Sequence, residues 1–166
     1  MHRFLLLILF VLPALGAAEP KPLTQAHAHN DYEHARPLLD ALDRGFGSIE
    51  ADVWLVEGRL LVAHDLKNVK PERTLSALYL DPLRERAAKN AGRVYRDGPP
   101  VVLLVDVKSE AAATYAALQE VLKDYAAMLT TFRGAVVEER AVTVILSGNR
   151  ATKEIAAQPR RWVAVD

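Results

Sequence analysis

The sequence predicts an α/β domain of the (β/α)8 barrel type, of which about the first five strand–helix units are present. Strand-like and helix-like segments alternate along residues 24–166, and the strand-like segments are apolar, as in a buried parallel sheet. Polar residues follow these segments: His29, Glu50, Asp52, Asp106, Ser147 and Asp166. Barrel enzymes draw site residues from several strand ends, whereas an open doubly wound sheet usually concentrates them at one glycine-rich turn. The sequence contains no such turn, which favours the barrel.

The predicted strands cover residues 24–28, 48–53, 60–63, 101–105, 141–146 and 162–165. The run 101–105 is continuously apolar, which is typical of a strand buried on both faces. The predicted helices cover residues 35–44, 74–90, 110–129 and 151–157, with a break expected at Asp81-Pro82. A complete barrel takes about 250 residues, so we expect this one to be incomplete at its C-terminus.

The N-terminus has the pattern of a secretory signal peptide over residues 1–18. A short basic start that contains Arg3 precedes an apolar run over residues 4–12, and small residues at 16–18 suit a cleavage site. The apolar run is too short for a transmembrane helix, which takes about 20 residues. We therefore expect a secreted or periplasmic protein, with a linker at residues 19–23 and the barrel domain at residues 24–166.

Composition excludes several classes of function. Lysine plus arginine number 21 and aspartate plus glutamate number 21, so no basic surplus indicates a nucleic-acid partner. Cysteine is absent, which excludes disulfides and thiolate metal sites.

Two carboxylates stand on one face of a predicted strand. Glu50 and Asp52 are two residues apart, so both side chains point the same way, among apolar neighbours. Carboxylates held together in such surroundings repel each other unless a cation joins them. Asp106 ends the apolar strand 101–105, and Lys108 follows it. We interpret the three acids as metal ligands and Lys108 as a phosphate-binding residue; a solvated acidic face and a plain ion pair are the alternatives.

Histidines bracket the carboxylate pair along the chain. His29 and His64 each follow a strand-like segment, and we interpret both as proton-transfer residues. His27 and Asp65 are interpreted as supporting residues that lie behind the site. Asp65 is expected to orient His64 or to cap the next turn.

These segments resemble the superfamily of the glycerophosphodiester phosphodiesterases, the phosphatidylinositol-specific phospholipases C and the spider-venom phospholipase D enzymes. Residues 29–32 look like the first histidine segment of the phospholipases C, and residues 50–53 look like the shared Glu-x-Asp metal pair. Residues 61–65 look like the second histidine segment of the glycerophosphodiesterases. Residues 106–108 are similar to the metal aspartate and substrate-binding lysine of the venom enzymes. The resemblance covers residues 24 to about 108 well, and the rest only by topology.

The resemblance implies a phosphoric diester hydrolase that uses Mg2+ or Ca2+ on the three acids. His29 is the expected base and His64 the expected acid, and Lys108 would steady the phosphate charge. Where glycerophosphodiesterases usually have His-Arg-Gly, this chain has His29-Asn30-Asp31, which makes Asn30 a further candidate metal ligand. The expected partner is a glycerophosphodiester or a phospholipid head group, with at most peripheral membrane contact.

Two other functions fit the same residues. His27 and His29 could both bind zinc in an amidohydrolase-type barrel, although that class needs later histidines, and none follows His64 in this sequence. The second alternative is a catalytically inactive exported barrel that binds a phosphoester. Metal content separates the three, since zinc favours the amidohydrolase and Mg2+ or Ca2+ favours the phosphodiesterase.

Overall fold

The computed structural model describes residues 20–166 and shows an α/β domain with a mostly parallel sheet. Its strands are β1 (Leu23–Ala28), β2 (Phe46–Val56), β3 (Arg59–Val62), β4 (Val101–Val107), β5 (Thr131–Arg133), β6 (Val136–Glu138), β7 (Val142–Gly148) and β8 (Val163–Val165). Its α-helices are α1 (Leu39–Leu42), α2 (Asp81–Lys89), α3 (Ala111–Lys123) and α4 (Thr152–Ala156). The predicted signal peptide lies outside the described residues. Within residues 20–166, the helices are all too short or too polar to cross a membrane.

The parallel strands are arranged in chain order. The main sheet runs β1-β2-β4-β7-β8, and each neighbouring pair in that row is parallel. β3 pairs antiparallel with the C-terminal half of β2, and β5 and β6 form a separate hairpin. This row lacks the reversal of strand order that defines a doubly wound sheet. β1 and β8 are its two edges and do not pair with each other, so barrel closure stays a prediction.

The sheet has one well-covered face in this part of the chain. In β4, Leu103 and Val105 are fully buried, whereas Val102 and Leu104 on the opposite face are half-buried. β7 shows the same alternation. The buried face belongs to a continuous core that includes the apolar stripe of α3. Residues 101–105 were expected to be buried on both faces. Within residues 20–166, one face is fully buried and the other is half-buried.

Two predicted helices differ from those in the structure. The helix expected at residues 35–44 is reduced to α1, because Leu38 has a φ of 64° and a ψ of −52°, and Leu39 N–H donates to Pro37 O in a tight γ-turn. The expected break at Asp81-Pro82 is absent. A π-helical turn, Ser76–Leu80, runs directly into α2, and Pro82 lies just after this turn without ending the helix.

The apolar pattern after residue 110 correctly predicted which residues are buried, but it overestimated the length of the helix. α3 ends at Lys123, yet Tyr125 and Leu129 beyond it are buried as the helical spacing required. A short 3-10 turn, Ala126–Met128, carries the chain between them. The hairpin of β5 and β6 was not predicted; its turn contains Gly134, which has a φ of 56°.

A buried carboxylate anchors the loop after β1. Asp31 has no exposed surface, and its Oδ2 accepts hydrogen bonds from Leu38 N–H at 2.5 Å and from the Tyr79 hydroxyl at 3.0 Å. Its Oδ1 has no hydrogen-bond partner among residues 20–166. Burial raises the pKa of the Asp31 carboxyl above its ordinary value, against the lowering effect of the two hydrogen bonds. The loop that carries His29 and Asn30 is thus tied to the core at its centre.

We expect Asp31 to make the stability of the domain pH-dependent. Because its pKa is raised above 3.8 in the folded chain, the folded state binds more protons than the unfolded state just above that pH. The contribution of Asp31 to the free energy of unfolding therefore falls as the pH rises from 3.8 through the raised pKa. Urea unfolding of wild type and Asp31→Asn across this pH range measures the effect. The stability of wild type relative to the variant should decrease with pH; a constant difference would contradict the assignment.

Candidate active site

Strand register brings three carboxylates together, two from the middle of β2 and one from the C-terminal end of β4. Glu50 and Asp52 point to the same face of β2, and Asp52 is in register with Asp106 on β4. One oxygen from each of the three side chains lies within 4.8 Å of the others. Glu50 and Asp52 are buried and Asp106 is half-buried. The acids that the sequence predicted as metal ligands therefore form a single cluster, here called the acidic triad.

The row of polar residues continues onto β7. Ser147 is in register with Asp106, and its hydroxyl donates to Asp106 Oδ1 at 3.1 Å. Gly148 follows with a φ of 66°, and a Cβ at this position would overlap the Asp106 carboxylate and the backbone of Val107. Only glycine allows the end of β7 to pass this close to the triad.

Lys108 is the cation nearest to the triad. Its Nζ lies 3.1 Å from Asp52 Oδ2 and makes a closer ion pair with Asp106 Oδ2. Burial by itself lowers the pKa of Lys108, but the hydrogen bonds to Asp106 and Asp52 raise it above its ordinary value. Lys108 is therefore charged at neutral pH. Three carboxylates and one ammonium leave the cluster with a formal charge of −2 when the histidines are neutral.

Both predicted catalytic histidines lie against the triad. His64 Nδ1 lies 3.0 Å from Asp52 Oδ2, and His29 Nε2 lies 3.4 Å from Glu50 Oε2. Their side chains are 54% and 70% exposed, so both rings are accessible to a substrate. His29 follows β1 and His64 follows β3. At Val53, β4 pairs with one side of β2 and β3 pairs with the other. β1 also pairs with β2 on the side opposite β4, so β1 and β3 lie along the same edge of β2.

Tyr32 was not predicted as a site residue, although it stands in the same short motif as His29. Its hydroxyl lies 2.8 Å from Asp52 Oδ2, 2.9 Å from Asn30 Oδ1 and 3.3 Å from His64 Nδ1. Burial, together with the hydrogen bond to Asp52, raises the pKa of the phenol, which therefore stays neutral. In the sequence, the one indication of a role for Tyr32 is that it stands two residues after Asn30. This position does not distinguish a site residue from an aromatic residue of the core.

Asn30 contacts the site through its main chain and its side chain. Its N–H donates to Glu50 Oε2 at 3.0 Å, and its Oδ1 lies 2.9 Å from the Tyr32 hydroxyl oxygen. Asn30 has a left-handed backbone, with φ 49° and ψ 38°, a conformation that asparagine tolerates better than most residues. The residue lies beside the triad, and its role as a metal ligand stays a prediction.

Two predicted supporting residues do not contact the site as expected. Asp65 makes no cap hydrogen bond, and its carboxylate faces Lys67 at 3.9 Å; Asp52, not Asp65, contacts His64 Nδ1. His27 Nδ1 pairs with the Ser48 hydroxyl at 2.8 Å, two residues before Glu50 on β2, and its supporting role stays a prediction. The expectation for Asp65 failed because the chain turns outward directly after His64, which leaves its neighbour exposed.

The donor set of the triad fits a hard divalent cation. Ca2+ binds oxygens at about 2.3–2.6 Å and Mg2+ at about 2.0–2.1 Å, so oxygens that share one ion lie at most about 4–5 Å apart. The triad oxygens lie within 4.8 Å of one another, which meets the limit for Ca2+; the shorter limit for Mg2+, about 4.2 Å, requires a tighter cluster. Carboxylate oxygens suit Mg2+, Ca2+ or Mn2+, whereas zinc favours imidazole and thiolate. Among residues 20–166, the group of side chains close enough to share a metal ion is the acidic triad, and it does not include His27 or His29.

Comparison with known proteins places the chain among phosphodiesterase-type domains. Residues 19–166 match the model of the AIM6-like phosphodiesterase domain. The chain therefore belongs to that family. The match supports the coarser part of the resemblance seen in the sequence, a phosphodiesterase-type domain. It does not single out the glycerophosphodiesterases, the phospholipases C or the venom enzymes. No solved structure gave a significant match.

Curated relatives carry the name altered inheritance of mitochondria protein 6. The protein from Eremothecium gossypii is 33% identical over 165 residues, which covers 87% of this chain and 42% of the relative. The protein from Lachancea thermotolerans is 37% identical over 150 residues, which covers 77% of this chain and 34% of the relative. The protein from Kluyveromyces lactis is 30% identical over 165 residues and is covered to 39%. The chain thus spans about two-fifths of the length of these relatives.

Substitution of Gly148 tests the close approach of β7 to the triad. Gly148→Ala should lose about 1–2 kcal/mol from the left-handed backbone, and more because the new Cβ displaces Asp106. Its affinity for Mg2+ and Ca2+ should fall at least about tenfold. Gly58→Ala is the matched control, because Gly58 has a φ of 75° and open space around it. Urea unfolding and calorimetric titration measure both effects; equal metal affinities in the two variants would contradict the role of Gly148.

Proposed function

We propose that the domain is a metal-dependent phosphoric diester hydrolase in which the acidic triad binds Mg2+ or Ca2+. The observation that carries the proposal is the triad itself, three carboxylates within 4.8 Å, with two accessible imidazoles against it. Phosphodiester hydrolysis needs both a cation to hold the phosphate and groups that move protons. The family match supports a phosphodiesterase-type reaction, and the metal and the histidine pair are our additions.

The residues around the triad divide the work of holding the phosphate. A divalent cation on Glu50, Asp52 and Asp106 would polarise the phosphoryl oxygens and offset their charge. Within residues 20–166, Tyr32, His64 and Lys108 all contact Asp52 through its Oδ2. Its Oδ1 is therefore left for an ion. Lys108 adds a second positive charge beside Asp106, where it can contact the charge that develops on the phosphate.

The two histidines would perform the proton transfers. One takes the proton of the attacking water or hydroxyl while the new P–O bond forms. The other gives a proton to the oxygen of the leaving alcohol while the old P–O bond breaks. His64 uses Nδ1 toward Asp52, which leaves Nε2 for the substrate. A carboxylate that holds one ring nitrogen in this way fixes the orientation of the imidazole.

The substrate class, the cellular location and the complete fold are parts of the same proposal. A glycerophosphodiester and a phospholipid head group both present the phosphodiester that the triad and Lys108 would bind. Export is proposed from residues 1–18 and peripheral membrane contact from the lipid alternative. The (β/α)8 barrel is supported by the chain-order arrangement of the parallel strands and by the half-buried apolar face of β4.

Turnover of a panel of phosphodiesters tests the proposal directly. The panel contains a glycerophosphodiester, a phosphatidylinositol and a lysophospholipid, each assayed with Mg2+, with Ca2+ and with a chelator. Because the curated relatives are longer than this chain, the panel is run on the 166-residue chain and on the longest natural form that contains it. Activity that disappears with chelator supports the proposal. Metal binding without turnover in both forms would identify a binding domain instead.

Removal of one charge from the triad should weaken metal binding. Asp52→Asn keeps the shape of the side chain but lowers the negative charge that a divalent cation offsets. The affinity for Mg2+ and Ca2+ should fall at least about tenfold. Asp65→Asn is the control, since it removes an exposed carboxylate next to His64 that does not reach the triad. Calorimetric titration compares the three proteins, and equal affinities in wild type and Asp52→Asn would refute the metal site.

Loss of either histidine should slow turnover without loss of metal. His29→Ala and His64→Ala should each lower turnover by about 100-fold or more, the usual share of one general acid or base. His34→Ala is the control, because His34 is exposed and outside the triad. Steady-state kinetics and metal titration are measured together. A histidine variant with near wild-type turnover would remove that residue from the proton-transfer scheme.

A further inference from the structure

We propose that Tyr32 is a positioning residue that holds the His64 ring with its Nδ1–H toward the protein and its Nε2 toward the substrate. This inference rests on the proposed function, in which His64 transfers a proton. Tyr32 is 4% exposed, and its hydroxyl is the one group of the first motif that contacts both Asp52 and His64 within residues 20–166.

The hydrogen count at the phenol determines the direction of its contacts. The hydroxyl has one proton and three possible acceptors within reach: Asn30 Oδ1, Asp52 Oδ2 and, in the Nε2–H tautomer, His64 Nδ1. A hydrogen bond to a charged oxygen is stronger than one to a neutral acceptor, so the proton goes to Asp52, which is also the nearest of the three. The phenolic oxygen then has lone pairs free for the proton on His64 Nδ1.

His64 Nδ1 thus faces two acceptors. Asp52 Oδ2 lies at 3.0 Å and the Tyr32 oxygen at 3.3 Å, and neither has a proton to offer Nδ1 in this arrangement. The ring proton of neutral His64 therefore belongs on Nδ1, and Nε2 carries the lone pair. A ring held in this way presents Nε2 to the substrate, where it accepts a proton when neutral and donates one when protonated.

The loop backbone keeps the phenol in place. The main-chain carbonyl of Tyr32 accepts a hydrogen bond from Arg73 Nη2 at 2.5 Å, and the neighbouring Asp31 is tied to Leu38 and Tyr79. The main chain that carries the phenol is therefore held by anchors outside the acidic triad, and the hydroxyl contact with Asp52 adds to them. These anchors keep the phenol beside His64 whether or not Asp52 also contacts an ion.

Nitrogen NMR of the His64 ring tests the inference without substrate or metal. At a fixed pH at which the ring is neutral, wild type should show the Nδ1–H tautomer as the dominant form. Tyr32→Phe should shift a measurable share to the Nε2–H tautomer or broaden the ring signals. Tyr115→Phe is the matched control, because it removes the hydroxyl of a similarly buried tyrosine, whose hydrogen bond within the described part of the chain is to Gln158. An Nε2–H tautomer in wild type, or an unchanged tautomer in Tyr32→Phe, would overturn the inference.

Kinetics then distinguish positioning from a general structural role. Tyr32→Phe should lower kcat by about 10-fold or more while KM and metal affinity stay within about threefold. In a His64→Ala background, the same substitution should change kcat by less than about twofold, because its effect passes through His64. Additive losses in the double variant would overturn the positioning role. If His64→Ala alone keeps full turnover but the tautomer shift occurs, the proposed function fails while the Tyr32–His64 contact stands.

Discussion

Repulsion among three carboxylates is the constraint on which the site depends. At an effective dielectric constant of about 20, two unit charges held within 4.8 Å repel each other by at least about 3 kcal/mol. Lys108 is the one ammonium that contacts the triad within residues 20–166, and neutral donors from Tyr32, Ser147 and the Asn30 main chain add to it. The remaining negative charge is what makes the cluster suited to a divalent cation.

The sheet supplies the force that holds these charges together. The carboxylates lie on strands whose other residues, such as Ile49, Leu103 and Val105, are fully buried. Each fully buried leucine or isoleucine side chain contributes about 1.5–3 kcal/mol, so a few of them offset the repulsion. Because register is set by the pairing of whole strands, Asp52, Asp106 and Ser147 cannot separate without breaking the sheet.

Several site residues could be predicted from the sequence, because a charged side chain on a buried strand is unfavourable unless it has a partner. Charged residues at the ends of apolar strands pointed to Glu50, Asp52, Asp106 and Lys108, and the structure brings these four together. The same reasoning overestimated Asp65, because adjacency along the chain says nothing about which way a side chain turns after a strand. The helix expected at residues 35–44 was shortened by the Leu38 turn, whose geometry depends on the distant contact between Leu38 and Asp31.

The sequence by itself determined the alternation of strands and helices and the residue types of the site, since apolar runs and isolated charges are local properties of the chain. Only the tertiary structure decided how the site is supported. Tyr32 and Gly148 look like a core aromatic and a turn glycine in the sequence, and their positions beside Asp52 and Asp106 follow from the pairing of segments far apart in the chain. Contacts through space depend on register and loop geometry, which no local pattern encodes.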